Sequence, residues 1–336
     1  MKKIFAIAAV VAVALTSCVN SVEVPDAQEE LTFQAVTYKS QAGRAPQWGP
    51  MTGAAYNTAE HFGAYAFHDT DFWSATDASY NPATYMEKVD ISLVSGQWKN
   101  TARSYHWPKT GQLSFVCYSP FGFGTGTVSA TATKGVKIDG FTATNNLAQQ
   151  VDLMTMDVLK DQTKAGGEVE AAFKHILSQI VFTVAPKEDL SASVQTISLD
   201  GLVLKAVDTK ANYAQTDETV ATGAWSNHSE ELDYSFLAEA QDVSVSSTTA
   251  VNVGNAAIVI PQTCAGYKLL VSYTITYHGG AKDVMKDVEV TIATDEWEKG
   301  LKYVYNIQIG LGDEIIFSPS IPTDWETGGG ADISIG

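Results

Sequence analysis

The chain has 336 residues, enough for two domains of ordinary size, and its 45% hydrophobic against 18% charged residues describe a well-buried globular protein. Its 38 acidic and 21 basic residues give a formal net charge of −17. A surface of that sign repels nucleic acid and anionic headgroups, which excludes both as partners.

The N-terminus has the form of a secretory signal peptide over residues 1–17: Met1-Lys2-Lys3, then an unbroken apolar run over 4–15. That run is shorter than the roughly 20 residues a membrane helix needs. Leu15-Thr16-Ser17-Cys18 resembles a bacterial lipobox, in which the Cys18 thiol is acylated and becomes the new N-terminus. The chain is therefore expected to be exported and lipid-anchored at the outer membrane. Of the other cysteines, Cys117 lies in an apolar run and Cys264 in a turn-like stretch far away in sequence, so two unpaired thiols are expected.

Residues 19–30 are polar and acidic and read as a flexible tether. The alternation over 31–37 then puts Leu31, Phe33 and Ala35 on one side of a strand. A loose stretch over 39–53 follows, carrying Arg44-Ala45, and Arg44 is the first arginine of the chain. Further strands are predicted over 62–67, 113–118, 173–184, 196–204, 256–260, 269–277, 284–292 and 303–309, rich in Thr, Val, Tyr and Phe. Helical periodicity is confined to an ambiguous stretch over 166–174. Many short strands with frequent turns predict an all-β protein of antiparallel sandwiches, divided near the polar, glycine-rich segment 160–167. The expected units are 18–44, 45–165 and 166–336.

Few residues suggest chemistry. His68-Asp69-Thr70-Asp71 offers a nitrogen and two carboxylates but lacks the glycine turn and terminal glutamate of a calcium loop. Asp287 and Glu289, two apart in a strand, and the acids of Asp295-Glu296-Trp297-Glu298 read as an exposed strand face and a charged turn. His175 reads as a partly buried strand histidine. No nucleophile elbow, zinc-protease pair or phosphate loop occurs, so no catalytic residue, metal or cofactor is expected. The seven tryptophans include Trp73 and Trp98 as candidate sugar platforms, although core or edge packing explains them as well.

Several segments together resemble the fimbrillin family of Bacteroidales, the lipoprotein pilins that include major fimbrial subunits and Mfa-like relatives. They are the lipobox at Cys18, Phe62-Gly63-Ala64-Tyr65-Ala66-Phe67, Tyr105-His106-Trp107-Pro108, and Leu113-Ser114-Phe115-Val116-Cys117-Tyr118-Ser119-Pro120. Phe173-Lys174-His175-Ile176-Leu177-Ser178, Ile258-Val259-Ile260-Pro261-Gln262, the run from Trp297 to Tyr305, and Trp325 continue the series.

The resemblance implies two tandem transthyretin-like antiparallel β-sandwich domains and a surface fimbrial subunit that is not an enzyme. It also implies an arginine-specific processing protease cutting between Arg44 and Ala45, which removes the strand carrying Leu31, Phe33 and Ala35. Other fimbrial subunits are the implied partners, with a host protein or glycan as a further ligand. The C-terminal tip, with Ile333 and Ile335 alternating beyond Gly328-Gly329-Gly330, is the candidate donor strand, with 315–321 as a substitute. A glycan-binding surface lipoprotein and a non-polymerising anchor or tip subunit are the alternatives.

Overall fold

The computed structural model describes residues 29–37, 61–74, 76–77, 80–312, 315–319 and 322–324. The expected signal peptide, Cys18, Arg44, Ala45, Trp48, Trp325, Ile333 and Ile335 lie outside the described residues. The regular structure of the described residues is β-strand with three single-turn 3-10 helices.

The first ten strands are β1 (Phe33–Thr37), β2 (Phe62–Asp69), β3 (Ala83–Val94), β4 (Gln97–Lys99) and β5 (Gln112–Ser119), then β6 (Thr127–Thr131), β7 (Gly135–Thr142), β8 (Met154–Thr155), β9 (Leu159–Gln162) and β10 (Val169–His175). Seven of them close a ring in the order β2-β3-β4-β1-β10-β8-β5, with β5 pairing back to β2 and β9 attached to β5. Residues 62–67 of β2 and 115–118 of β5 are unbroken apolar runs because each strand is buried there on both faces. Phe62, Ala64, Ala66, Leu113, Phe115 and Cys117 fill the inside of the ring. Tyr65, Phe67, Val116 and Tyr118 point the other way, into a second apolar cluster.

Gly63 faces Tyr118 across the β2–β5 ladder, and a Cβ at that position would overlap the Tyr118 ring. Gly63→Ala is therefore expected to cost about 1–3 kcal/mol by overpacking. A lowered thermal midpoint checks this, with Gly201→Ala, which has ordinary room for a Cβ, as the comparison.

The second half contains β11 (Ser178–Pro186), β12 (Val194–Ala214), β13 (Ala224–Ser235), β14 (Gln241–Val243), β15 (Val251–Val259) and β16 (Gln262–Thr263). It continues with β17 (Lys268–Tyr277), β18 (Lys282–Thr291), β19 (Glu296–Trp297), β20 (Leu301–Ile309), β21 (Ile315–Pro319) and β22 (Thr323–Asp324). One sheet runs β15-β11-β20-β21, with β22 also on β20; the other runs β18-β17-β12-β7-β6, with β13 and β14 also on β12. Between them lies a core built around Phe182, Phe236, Tyr273, Trp297 and Tyr305.

The expected strands over 62–67, 113–118, 269–277 and 303–309 lie within strands of the structure, and that over 256–260 runs one residue past the end of β15. Three differences are physical. The apolar run 173–184 is two strands, because Ile176 and Leu177 are buried in the cluster shared by both halves and carry the chain from the ring into the second sheet. The ambiguous stretch 166–174 is mostly strand β10, with Val169, Ala171, Phe173 and His175 buried in strict alternation. β12 is 21 residues long rather than nine, and it bends at irregularities beside Gly201 and at Ala206, whose φ is 52°. Among the described residues two pairings are parallel, β1 with β10 and β11 with β20. Across residue 165, β10 pairs with β1 and β8, and β7 pairs with β12.

Three of the outer strands carry guards against stray pairing. Gln150 lies along β15 like a one-residue strand, its amide donating to the Ile258 carbonyl at 2.9 Å and accepting from the Ile258 N–H at 2.6 Å. β18 carries a bulge at Asp287 (φ 53°) and alternates exposed charges along its length. β13 is twisted by positive φ at Asn227 and Glu230. Bulges and charge discourage stray strand pairing.

Candidate functional site

β1 is the strand on which the candidate site rests. It lies between β10 and β4, parallel to β10 from Phe33↔Val169 to Thr37↔Phe173 and antiparallel to β4 at Phe33↔Trp98. Leu31 and Phe33 are 2% exposed and Ala35 is 7% exposed, so the alternation read from the sequence is an inward-facing row. The Phe33 ring meets Phe62 edge-on at 5.6 Å and Phe115 at 5.7 Å, while Phe62 packs on Trp98 and Phe173. Fully burying side chains of this kind is worth roughly 1.5–3 kcal/mol each.

Polar contacts hold the entrance of β1. The Leu31 N–H donates to the Tyr105 carbonyl at 2.7 Å, and the Trp107 N–H donates to the Glu29 carbonyl at 3.0 Å. The Glu30 carboxylate accepts from Lys99 Nζ at 2.9 Å and Ser104 Oγ at 2.8 Å, and the bond from Lys99 is the main reason its pKa is lowered. Without β1, the backbone of β10 would lose its parallel partner and the aromatic floor of Phe62, Phe115 and Trp98 would face the gap.

The remaining candidates have structural roles. His68 Nε2 lies 2.8 Å from the Thr110 carbonyl and Asp69 caps the Asp71 N–H at 3.0 Å, and no metal-holding cluster occurs among the described residues. Asp287 accepts from the Ser272 hydroxyl and Glu289 pairs with Lys268 at 2.9 Å, so the two acids are engaged separately. His175 forms a buried pair with Asp152 at 2.9 Å. Cys117 and Cys264 are free, buried thiols; burial raises the pKa of both, that of Cys264 to about 12.

The two indoles considered as sugar platforms are packed. Trp98 is 8% exposed in the ring core, and Trp73 donates to the Ala132 carbonyl at 2.7 Å beneath Lys160. Sequence reasoning missed β10 as the neighbour of β1. Its alternation is plain in Val169-Glu170-Ala171-Ala172-Phe173, but Glu170, Ala171 and Ala172 suit helices equally well.

A fimbrillin-like family profile matches residues 50–325, and the chain belongs to that family. Membership makes it a cell-surface fimbrial protein without enzymatic activity, whose implied partners are other fimbrial subunits. Among solved structures, a fimbrial protein from Bacteroides vulgatus ATCC 8482 is 22% identical with a TM-score of 0.65, covering 88% of this chain and 99% of that one. A proposed cell adhesion protein from Bacteroides ovatus ATCC 8483 is 14% identical with a TM-score of 0.52, covering 89% and 97% respectively. These likenesses concern the fold. No curated protein matches the chain.

Proposed function

We propose that this protein is a fimbrial subunit, lipid-anchored through Cys18 at the outer membrane, that polymerises by strand exchange after cleavage at Arg44. The carrying observation is that β1 completes a closed ring yet joins the rest of the chain only through the segment between Thr37 and Phe62. Cutting that segment leaves β1 held by hydrogen bonds and packing alone. Its departure opens a backbone template over an apolar floor, the setting in which strand addition is favoured. An incoming strand that does not close back on its donor generates a fibre.

The family match begins at residue 50, beyond both β1 and Arg44, which suits a segment dispensable to the finished subunit. The tandem transthyretin-like reading of the two sandwiches and the division into 45–165 and 166–336 belong to the same proposal. Read backwards, Ile335-x-Ile333-x-Ala331 repeats the large, large, small order of Leu31-x-Phe33-x-Ala35, which favours the C-terminal tip as donor. The 315–319 segment is already paired to β20.

An arginine-specific protease has two arginines to choose from, Arg44 and Arg103. The Arg103 N–H is held by Asn100 at 2.9 Å and its guanidinium stacks 4.1 Å over the Tyr105 ring. Limited digestion is therefore expected to give one large product beginning at Ala45, which then forms oligomers, and Arg44→Gln is expected to block both steps. N-terminal sequencing and size-exclusion chromatography read the result. A product that starts at Ala45 but stays monomeric after losing β1 overturns strand exchange, and an uncut Arg44 points to an anchor or tip subunit that keeps its own strand.

A further inference from the structure

Away from the β1 slot, the β12–β13 hairpin and the β16–β19 pair border a cleft of about 620 Å³. Asp208, Trp225, His228, Glu296, Glu298 and Lys299 line it. Four separate stretches of sequence meet there, and its chemistry follows from an accounting of donors and acceptors.

The donors of the wall are turned toward the protein's own carbonyls. Lys299 Nζ donates to the Ala221 carbonyl at 2.8 Å and to that of Gly223. The Trp225 indole N–H donates to the Ile176 carbonyl at 2.6 Å, and His228 Nε2 sits 2.8 Å from the Pro261 carbonyl. The Gln262 amide group, also in the lining, donates to the carbonyls of Asp208 at 3.0 Å and Ile260 at 2.8 Å.

The Gln262 amide oxygen accepts from the Asp208 N–H at 3.1 Å and the Tyr267 hydroxyl at 2.8 Å, which leaves the carboxylates as the uncommitted acceptors. Among the described residues, the carboxylates of Asp208, Glu296 and Glu298 accept no hydrogen bond and form no ion pair. Glu231, paired in register with Asp208, adds further negative charge beside them.

A ligand for such a cleft must bring hydrogen-bond donors and positive charge. Anions are repelled, and a neutral sugar would find few donors for its oxygens. The described residues hold no cluster of His, Cys, Asp and Glu that suits a metal ion, and the volume is that of an organic group. A guanidinium answers each requirement, since it is flat, carries five donors, pairs with carboxylates in a fork and stacks on indole.

We propose that this cleft binds an arginine side chain of a partner polypeptide. The proposal stands apart from strand exchange, because every residue it uses lies outside the ring and β1. The probe is the peptide acetyl-Gly-Arg-Arg-Gly-amide, titrated into the full chain by calorimetry. The Trp225 indole N–H resonance is followed in parallel, assigned through Trp225→Phe.

Saturable binding that shifts this resonance is expected, and Glu296→Gln combined with Glu298→Gln is expected to weaken it at least tenfold. Glu188→Gln with Glu239→Gln, two exposed glutamates outside the cleft, is expected to leave it unchanged. The same peptide with citrulline in place of arginine is expected not to bind. Absence of saturable binding, equal weakening in both double variants, or equal binding of the citrulline peptide overturns the proposal. A shift of the Trp225 resonance by a neutral maltooligosaccharide, with none from the arginine peptide, overturns it in favour of a sugar site.

Discussion

Phe33→Ala is expected to destabilise the protein by about 3–5 kcal/mol, the range for emptying a buried phenylalanine site. The Phe33 ring is 2% exposed and touches Phe62 and Phe115 edge-on, so neighbouring rings cannot easily collapse into the space it leaves. Gln34, next along the same strand, is exposed, and Gln34→Ala is expected to stay within about 0.5 kcal/mol. Chemical denaturation of the two variants separates side-chain burial from a general sensitivity of β1. A loss below about 1 kcal/mol for Phe33→Ala would mean that β1 is not a structural member of the ring, and the groove reading would fall with it.

Alkaline titration is expected to unfold the protein cooperatively above pH 10. Burial holds the phenols of Tyr118, Tyr213 and Tyr234 well above their ordinary value and pushes those of Tyr65, Tyr267 and Tyr305 up to about 12. In the unfolded chain these groups ionise near pH 10, so above that value the unfolded state has lost more protons than the folded one. Stability is therefore flat below pH 10 with respect to these groups and falls as pH rises through 10 toward 12 and beyond.

Lys299 and Lys302 act in the opposite sense, because burial lowers their pKa and their charge penalty disappears as they deprotonate below 10.5. Six phenols shifted in one direction against two amines in the other leave the phenols to set the sign of the alkaline response. Phenolate absorbance recorded alongside circular dichroism tests the sign. Phenols that ionise near pH 10 with the β-structure intact would contradict it.

Strands 62–67 and 113–118 were legible because burial on both faces leaves them almost wholly apolar, with Ser114 the one polar side chain. Their orientation was not, since Phe62 and Tyr65 belong to different cores and nothing local distinguishes them. β13 left no mark, because most of its residues are exposed and it shows no apolar alternation. The alternation of Leu31, Phe33 and Ala35 marked β1 as a strand. Its place between β10 and β4 rests on partners such as Val169, 136 positions beyond Phe33, a separation over which single-residue patterns carry no register. The arginine cleft was hidden for the same reason. Glu296 and Glu298 looked like a charged turn until the β12–β13 hairpin brought Asp208 and Trp225 beside them.

The parallel course of β1 along β10 would also give the proposed exchange a direction. Parallel ladders are slightly less stable per residue than antiparallel ones. A donor laid into the same slot head-for-tail would pair antiparallel with β10 over the five positions that β1 now occupies in parallel. The same reversal brings the Ile335-x-Ile333-x-Ala331 order into line with Leu31, Phe33 and Ala35. The reversed strand would meet β4 in parallel where β1 meets it antiparallel at Phe33↔Trp98. The five positions along β10 outnumber that one, so under the proposed exchange strand polarity would favour the incoming strand.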